Sequence, residues 1–365
     1  MAAIITRFSM KKIILTISFC TSISMLSAQV GSNTNAPSKH ILTIENDKAL
    51  EQWLKENKIP NLGLGIIKNG KLEKAKVYGE LRKGIPAPNN TIFNVASLTK
   101  PVTAMVALKL ASEGKWDLDE PLYHYWTDPD IADDPRSQKL TTRIILSHQT
   151  GFPNWRFSTP DGKLAFQFDP GTQYQYSGEG FEYLRNALEK KFGKPLSQIG
   201  EELIFEPLKM KDTSYIWDQN TDASRIANGY DKNGKKYEIV KRRTANGADD
   251  LMTTVSDYSH FLISVMNGSI LSEKIFEEMK TGQIATQKGK YFGLGFEIYP
   301  LGDGNIALSH GGSDEGVQAL FVIVPKTKQG LLILTNTDEG AKVYEKLLID
   351  YLGEDGRKVV DIEMK

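Results

Sequence analysis

The sequence predicts an α+β fold, an α/β sandwich in which one sheet is flanked by helices from both ends of the chain and a mostly helical region is inserted between its strands. Three observations predict it. Short apolar runs bounded by turn residues occupy residues 45–95 and 285–365. Apolar residues fall mostly at helical spacing across 96–284, between loops. Helical patterns stand before the first strand and after the last, so strands from the two ends can join in one sheet with those helices over a face.

The elements follow in order. Leu50, Trp53 and Leu54 make Glu45–Lys58 a helix, stopped before Pro60. The run Leu62–Ile67, then Asn69-Gly70, then Leu72–Tyr78 reads as a hairpin, because Asn-Gly supplies the positive φ of a tight turn. Val102–Glu113 is apolar at helical spacing and ends at Gly114. Leu118–Asp134 is loop-rich, with three prolines at or just after it: Pro121, Pro129 and Pro135. Helices follow at Thr142–Ser147, Phe181–Phe192, Gln198–Phe205 and Val255–Met266, the last with Ser256 or Asp257 at its N-cap. Phe292–Tyr299, Ile306–Ser309, Val317–Val324 and Gly330–Leu334 read as strands, and Ala341–Tyr351 as a closing helix. Residues 45–365 read as a single domain, without repeats.

The N-terminus reads as a targeting segment. Arg7, Lys11 and Lys12 precede the apolar run Ile13–Leu26, and Leu26-Ser27-Ala28 carries a small-residue cleavage signature. Residues 1–28 are therefore expected to be a signal peptide, cleaved near Ala28, and 29–44 a disordered lead-in. The run is too short and too rich in Ser and Thr to be a convincing membrane span, and an uncleaved anchor is the alternative. The one cysteine, Cys20, lies inside this run. A lipid on Cys20 is the lesser alternative, since Phe19 precedes it where lipidated sites carry a small residue. Lys+Arg and Asp+Glu both number 45, and losing three basic residues leaves the mature chain near −3 (42 minus 45). That balance gives no reason to expect nucleic acid or an anionic surface as a partner. A mature chain without cysteine excludes a cysteine hydrolase.

Ser97-Leu98-Thr99-Lys100 places a hydroxyl and an amine three residues apart, on one face of a helix. A serine needs a base to become a nucleophile, and a lysine held neutral can be one. The same spacing occurs at Ser9/Lys12 and Ser112/Lys115, so it needs other parts beside it. Three stretches offer them. Asp169–Phe181 is a turn-rich loop on which the Tyr176 phenol either relays a proton or packs with its hydroxyl bonded to backbone. Ser309-His310-Gly311-Gly312-Ser313 ends a strand, where glycines let a substrate lie close and leave N–H groups for an oxyanion, or form an ordinary strand-to-turn step. His148 is a base or a satisfied helix-end residue. There is no Gly-x-Ser-x-Gly elbow, no His-Glu-x-x-His and no phosphate loop, and no cofactor or metal site is expected. Asp128, Asp130, Asp133 and Asp134 read as a solvated acidic loop.

In their order and spacing, Ser97–Lys100, Leu140–Pro153, Pro170–Ser177, Asp250–Asp257, Phe292–Phe296, His310–Gly312 and Val324–Asn336 resemble the motifs of the serine β-lactamase/penicillin-binding-protein superfamily, nearest its class C-like branch of β-lactamases, D-peptidases and esterases. The likeness spans about 45–352. It implies an antiparallel sheet, a β-lactamase/transpeptidase-like fold, and a cleft between sheet and helical region. It implies Ser97 as nucleophile, Lys100 as its proton partner and Tyr176 as the second-motif tyrosine. His310 and Gly312 then take the first and third places of the third motif, and the N–H groups of Ser97 and Ser313 form the oxyanion hole. Two departures stand out. The usual Tyr-x-Asn reads Tyr176-Ser177-Gly178, and His310 stands where β-lactamases carry lysine. The expectation is an exported, periplasmic or secreted, monomeric serine hydrolase working through an acyl-enzyme. Its substrates would be peptidoglycan-type D-peptides or esters, with weak β-lactamase activity. The alternatives are an efficient class C-like β-lactamase and a non-catalytic or penicillin-sensing binder.

Overall fold

A computed structural model describes residues 47–82, 84–286 and 288–365. The expected signal peptide, lead-in and Cys20 lie outside the described residues. No helix among the described residues is long and apolar enough to cross a membrane.

The strands are β1 (Asn61–Lys68), β2 (Lys71–Arg82), β3 (Ile85–Pro86), β4 (Ile92–Asn94), β5 (Met252–Thr254), β6 (Ile284–Ala285), β7 (Tyr291–Phe292), β8 (Glu297–Gly302), β9 (Asn305–Asp314), β10 (Val317–Val324) and β11 (Gln329–Thr335). Nine of them form one antiparallel sheet in the order β3-β2-β1-β11-β10-β9-β8-β7-β6, and β4 pairs with β5 apart from it. The two ends of the chain meet at β1 and β11, with Leu64 opposite Ile333. Asn69 and Gly70 both take positive φ at the hairpin between β1 and β2, as the sequence requires.

Alternation along β1 explains the layers. Leu62, Leu64 and Ile66 join the core under the terminal helices Asp47–Glu56 and Tyr344–Glu363. Gly63 and Gly65 face the other way, onto helix Val255–Asn267, where an added Cβ would stand 2.6 Å from Val255 Cγ2 and 2.4 Å from Ser259 Oγ respectively. The two glycines thus set how closely that helix lies on the sheet. The larger core lies on this second face and includes the buried helix Thr99–Ser112.

Four local expectations need correction. The strand expected over Phe292–Tyr299 is broken into β7 and β8. Gly295 breaks it, at φ +91°, because the chain bulges onto helix Thr99–Ser112 and a Cβ there would lie 2.3 Å from that of Ala104. The closing helix starts as a 3₁₀ turn at Gly340–Val343 and then runs from Tyr344 to Glu363, with a bend at Gly353. Helix Val255–Asn267 is capped by Thr254, whose side chain accepts from the Asp257 N–H at 3.2 Å, rather than by Ser256 or Asp257. The acidic loop is not simply a solvated surface. Asp128 is 4% exposed and accepts from Arg156 Nη2 at 2.6 Å, and Asp130 binds the same guanidinium at 3.1 Å.

Candidate active site

Ser97 sits in a 3₁₀ turn, Ala96–Leu98, between β4 and helix Thr99–Ser112. Ala96 is held at φ +46°, a conformation that costs a non-glycine residue energy and persists only where its surroundings enforce it. Four hydrogen bonds do so. The Ala96 N–H donates to Asn94 Oδ1 (2.8 Å), and Thr99 Oγ1 donates to the Ala96 carbonyl (2.7 Å). The Leu251 N–H donates to Thr99 Oγ1 (3.0 Å), and the Tyr258 hydroxyl donates to the Leu98 carbonyl (2.7 Å). The tight turn leaves Ser97 partly exposed on a rigid support.

Lys100 is fully buried one turn along. Its Nζ lies 2.9 Å from Ser97 Oγ and 2.9 Å from the Ala248 carbonyl. The rings of Trp155, Tyr176 and Phe181 stand around it, with centroids 5.9, 4.7 and 6.0 Å away. Burial pushes the Lys100 ammonium down to about 8, against the opposing pull of the Asp249 and Glu182 carboxylates. A neutral amine within hydrogen-bond reach of a serine hydroxyl can accept its proton.

The Tyr176 hydroxyl lies near the Ser97 side chain, which draws its pKa down. Burial raises its pKa well above the ordinary phenol value, and the nearby Ser97 only partly offsets this. Tyr176 is therefore a neutral phenol at pH 7, not one acidified by the neighbouring lysine. It can still pass a proton on. His148 holds this loop in place. Its Nδ1 accepts from the Ser177 N–H at 3.1 Å, and its ring lies 4.3 Å from that of Tyr176. Burial lowers its pKa well below the usual range, and its Nε2 is buried without a hydrogen-bond partner.

On β9, Gly312 lies against the serine turn. A Cβ there would meet the Val95 carbonyl oxygen at 2.4 Å and Leu98 N at 3.3 Å, so only glycine allows this approach. It brings strand β9 against the turn that carries Ser97. The Ser313 side chain is exposed and takes a hydrogen bond from Gln318 Nε2 at 2.8 Å. His310, two residues before Gly312 and on the same face as it, donates from Nδ1 to the Gly311 carbonyl at 2.7 Å. Its Nε2 is buried and unpartnered. Burial, with Lys100 nearby, lowers its pKa to about 3, so it offers a lone pair and no charge.

Three features escape a reading of the sequence. Asp249 follows the carbonyl that holds Lys100, and burial raises its pKa to about 7, with Asp250 and Asp314 adding to the rise. Carboxylate oxygens of these three residues lie within 4.8 Å of one another. Glu179, next to the altered second motif, does not reach Ser97. It is 6% exposed and accepts from the Arg156 N–H and Nε, both at 2.9 Å. Trp155 occupies the space beside Gly178. Its only sequence signal is an aromatic just after the Leu140–Pro153 stretch.

The Beta-lactamase family model matches residues 46–352 of this chain. Among individual proteins, the beta-lactamase of Pseudomonas fluorescens is 26% identical over 272 residues, 70% of this chain and 74% of that protein. Esterase EstB of Burkholderia gladioli is 26% identical over 201 residues, 47% of this chain and 50% of the esterase, so the chain spans about half of that relative. The octameric penicillin-binding protein homologue from Pyrococcus abyssi superposes with a TM-score of 0.72 at 24% identity, over 87% of this chain and 79% of that one. At that identity it shows the fold alone.

Proposed function

The chain belongs to the beta-lactamase family, and on that premise we propose an exported serine hydrolase that cleaves esters or amides through an acyl-enzyme on Ser97. The observation that carries this is the 2.9 Å contact between Lys100 Nζ, fully buried among aromatic rings, and Ser97 Oγ. Neutral Lys100 takes the Ser97 proton as Oγ attacks the substrate carbonyl. The oxygen's developing charge falls to the N–H groups of Ser97 and Ser313. The proton passes by way of the Tyr176 hydroxyl to the leaving oxygen or nitrogen, which departs. Water then attacks the acyl-enzyme with the same groups in reverse, releasing the acid and restoring the Ser97 proton.

The preferred substrates are D-peptides or simple esters, with β-lactams turned over weakly. Two observations favour that order. His310 is neutral, so it gives no cation to a β-lactam carboxylate. Gly178 gives no amide to an acylamide. A panel of D-Ala-D-Ala peptides, short esters and nitrocefin, with Ser97→Ala as control, tests the proposal. Turnover of a peptide or ester above nitrocefin, lost in Ser97→Ala, is the expected result. One equivalent of product followed by nothing would make the protein a sensor instead. We expect the working unit to be a monomer, which light scattering checks.

A further inference from the structure

Gly178 stands where the usual second motif carries an asparagine, and the space for any side chain there is already filled. A Cβ on Gly178 would lie 2.7 Å from both Cζ2 and Cη2 of Trp155. The same indole stands 5.9 Å from Lys100 Nζ, so it lines the pocket of the amine that contacts Ser97. Trp155 is half-buried, leaving part of the ring open. Phe157 extends the surface, stacked on Trp155 at 5.9 Å and 14°, and is 64% exposed. The two stacked rings thus form an open apolar surface that continues from the pocket around Lys100. Asn154 stands beside this position and its Oδ1 accepts from the Gly178 N–H at 2.9 Å.

We propose that Trp155, continued by Phe157, is the acyl-recognition surface of this site and selects substrates with an apolar alkyl or aryl acyl group. This deepens the acyl-enzyme reading and rests on it. An amide side chain would bind a polar acylamide through hydrogen bonds. An indole face binds hydrocarbon by excluding water, and the gain grows with each methylene covered.

The test is a chain-length series of p-nitrophenyl esters, acetate to octanoate, on wild type, Trp155→Ala and Phe157→Ala. In wild type, kcat/KM should rise about threefold per methylene over the first carbons. In Trp155→Ala the butyrate-to-acetate ratio should fall about fivefold or more. Phe157→Ala, at an exposed position with little risk to folding, should lower the octanoate-to-butyrate ratio. Unchanged ratios in both variants would overturn the inference. Failure of wild type to cleave any ester or peptide would instead defeat the acyl-enzyme reading.

Discussion

Lys100 Nζ stands equally 2.9 Å from Ser97 Oγ and from the Ala248 carbonyl oxygen. The carbonyl fixes where the amine points, and the hydroxyl is what it can act on. An ammonium has three N–H donors, and these two acceptors are its hydrogen-bond partners in a site enclosed by rings. Charge is thus poorly supported there, which favours the neutral base.

Replacing that amine with a side chain of similar length and no proton affinity removes the base alone. Lys100→Met should lower kcat/KM for a p-nitrophenyl ester by about 10²- to 10⁴-fold while circular dichroism stays native. The folded pKa of Lys100 lies below its unfolded value, so the unfolded chain holds more protons between about 8 and 10.5 and stability rises with pH in that window. Below it, burying the amine costs stability. Lys100→Met should therefore raise Tm at pH 7, read by calorimetry.

The pH profile carries the same signature. A base that must be neutral gives an activity limb that climbs with pH near 8. The Asp249 carboxylate raises the Lys100 pKa, so Asp249→Asn should move this limb to lower pH. A shift to higher pH, or none, would show that Lys100 does not set the limb.

Gly178 and Trp155 should be energetically coupled. Gly178→Ala should cost about 1–3 kcal/mol, because its methyl enters the indole. The same change in a Trp155→Ala background should cost much less. A double-mutant cycle by urea unfolding measures the coupling.

Glu179 has a structural task. Glu179→Ala leaves the Arg156 N–H without its acceptor, while the guanidinium keeps Asp128 and Asp130, and should cost about 1–3 kcal/mol. Ester kcat/KM per folded molecule should fall far less than in Lys100→Met.

Much of this was legible in the chain. Asn69-Gly70 is a local turn signal, and both residues take the positive φ that the hairpin needs. Ser97, Lys100, Tyr176 and the Gly312 strand end, far apart in the chain, lie together in the fold. What was not legible depends on distant shape. Nothing near Gly178 says that Trp155 fills its side-chain space. Nothing near Asp128 says that Arg156, 28 residues away, buries and pairs it. The acidity of Asp249 follows from burial among Asp250 and Asp314, and Gly295 breaks a strand only because Ala104 lies beneath it.

The central claim is that Ser97 is the nucleophile. Intact-mass analysis after a fluorophosphonate probe, with peptide mapping, tests it most directly. The expected result is a single adduct on Ser97, absent from Ser97→Ala at unchanged Tm and slowed in Lys100→Met. An adduct on another residue, or labelling that persists in Ser97→Ala, would contradict the account.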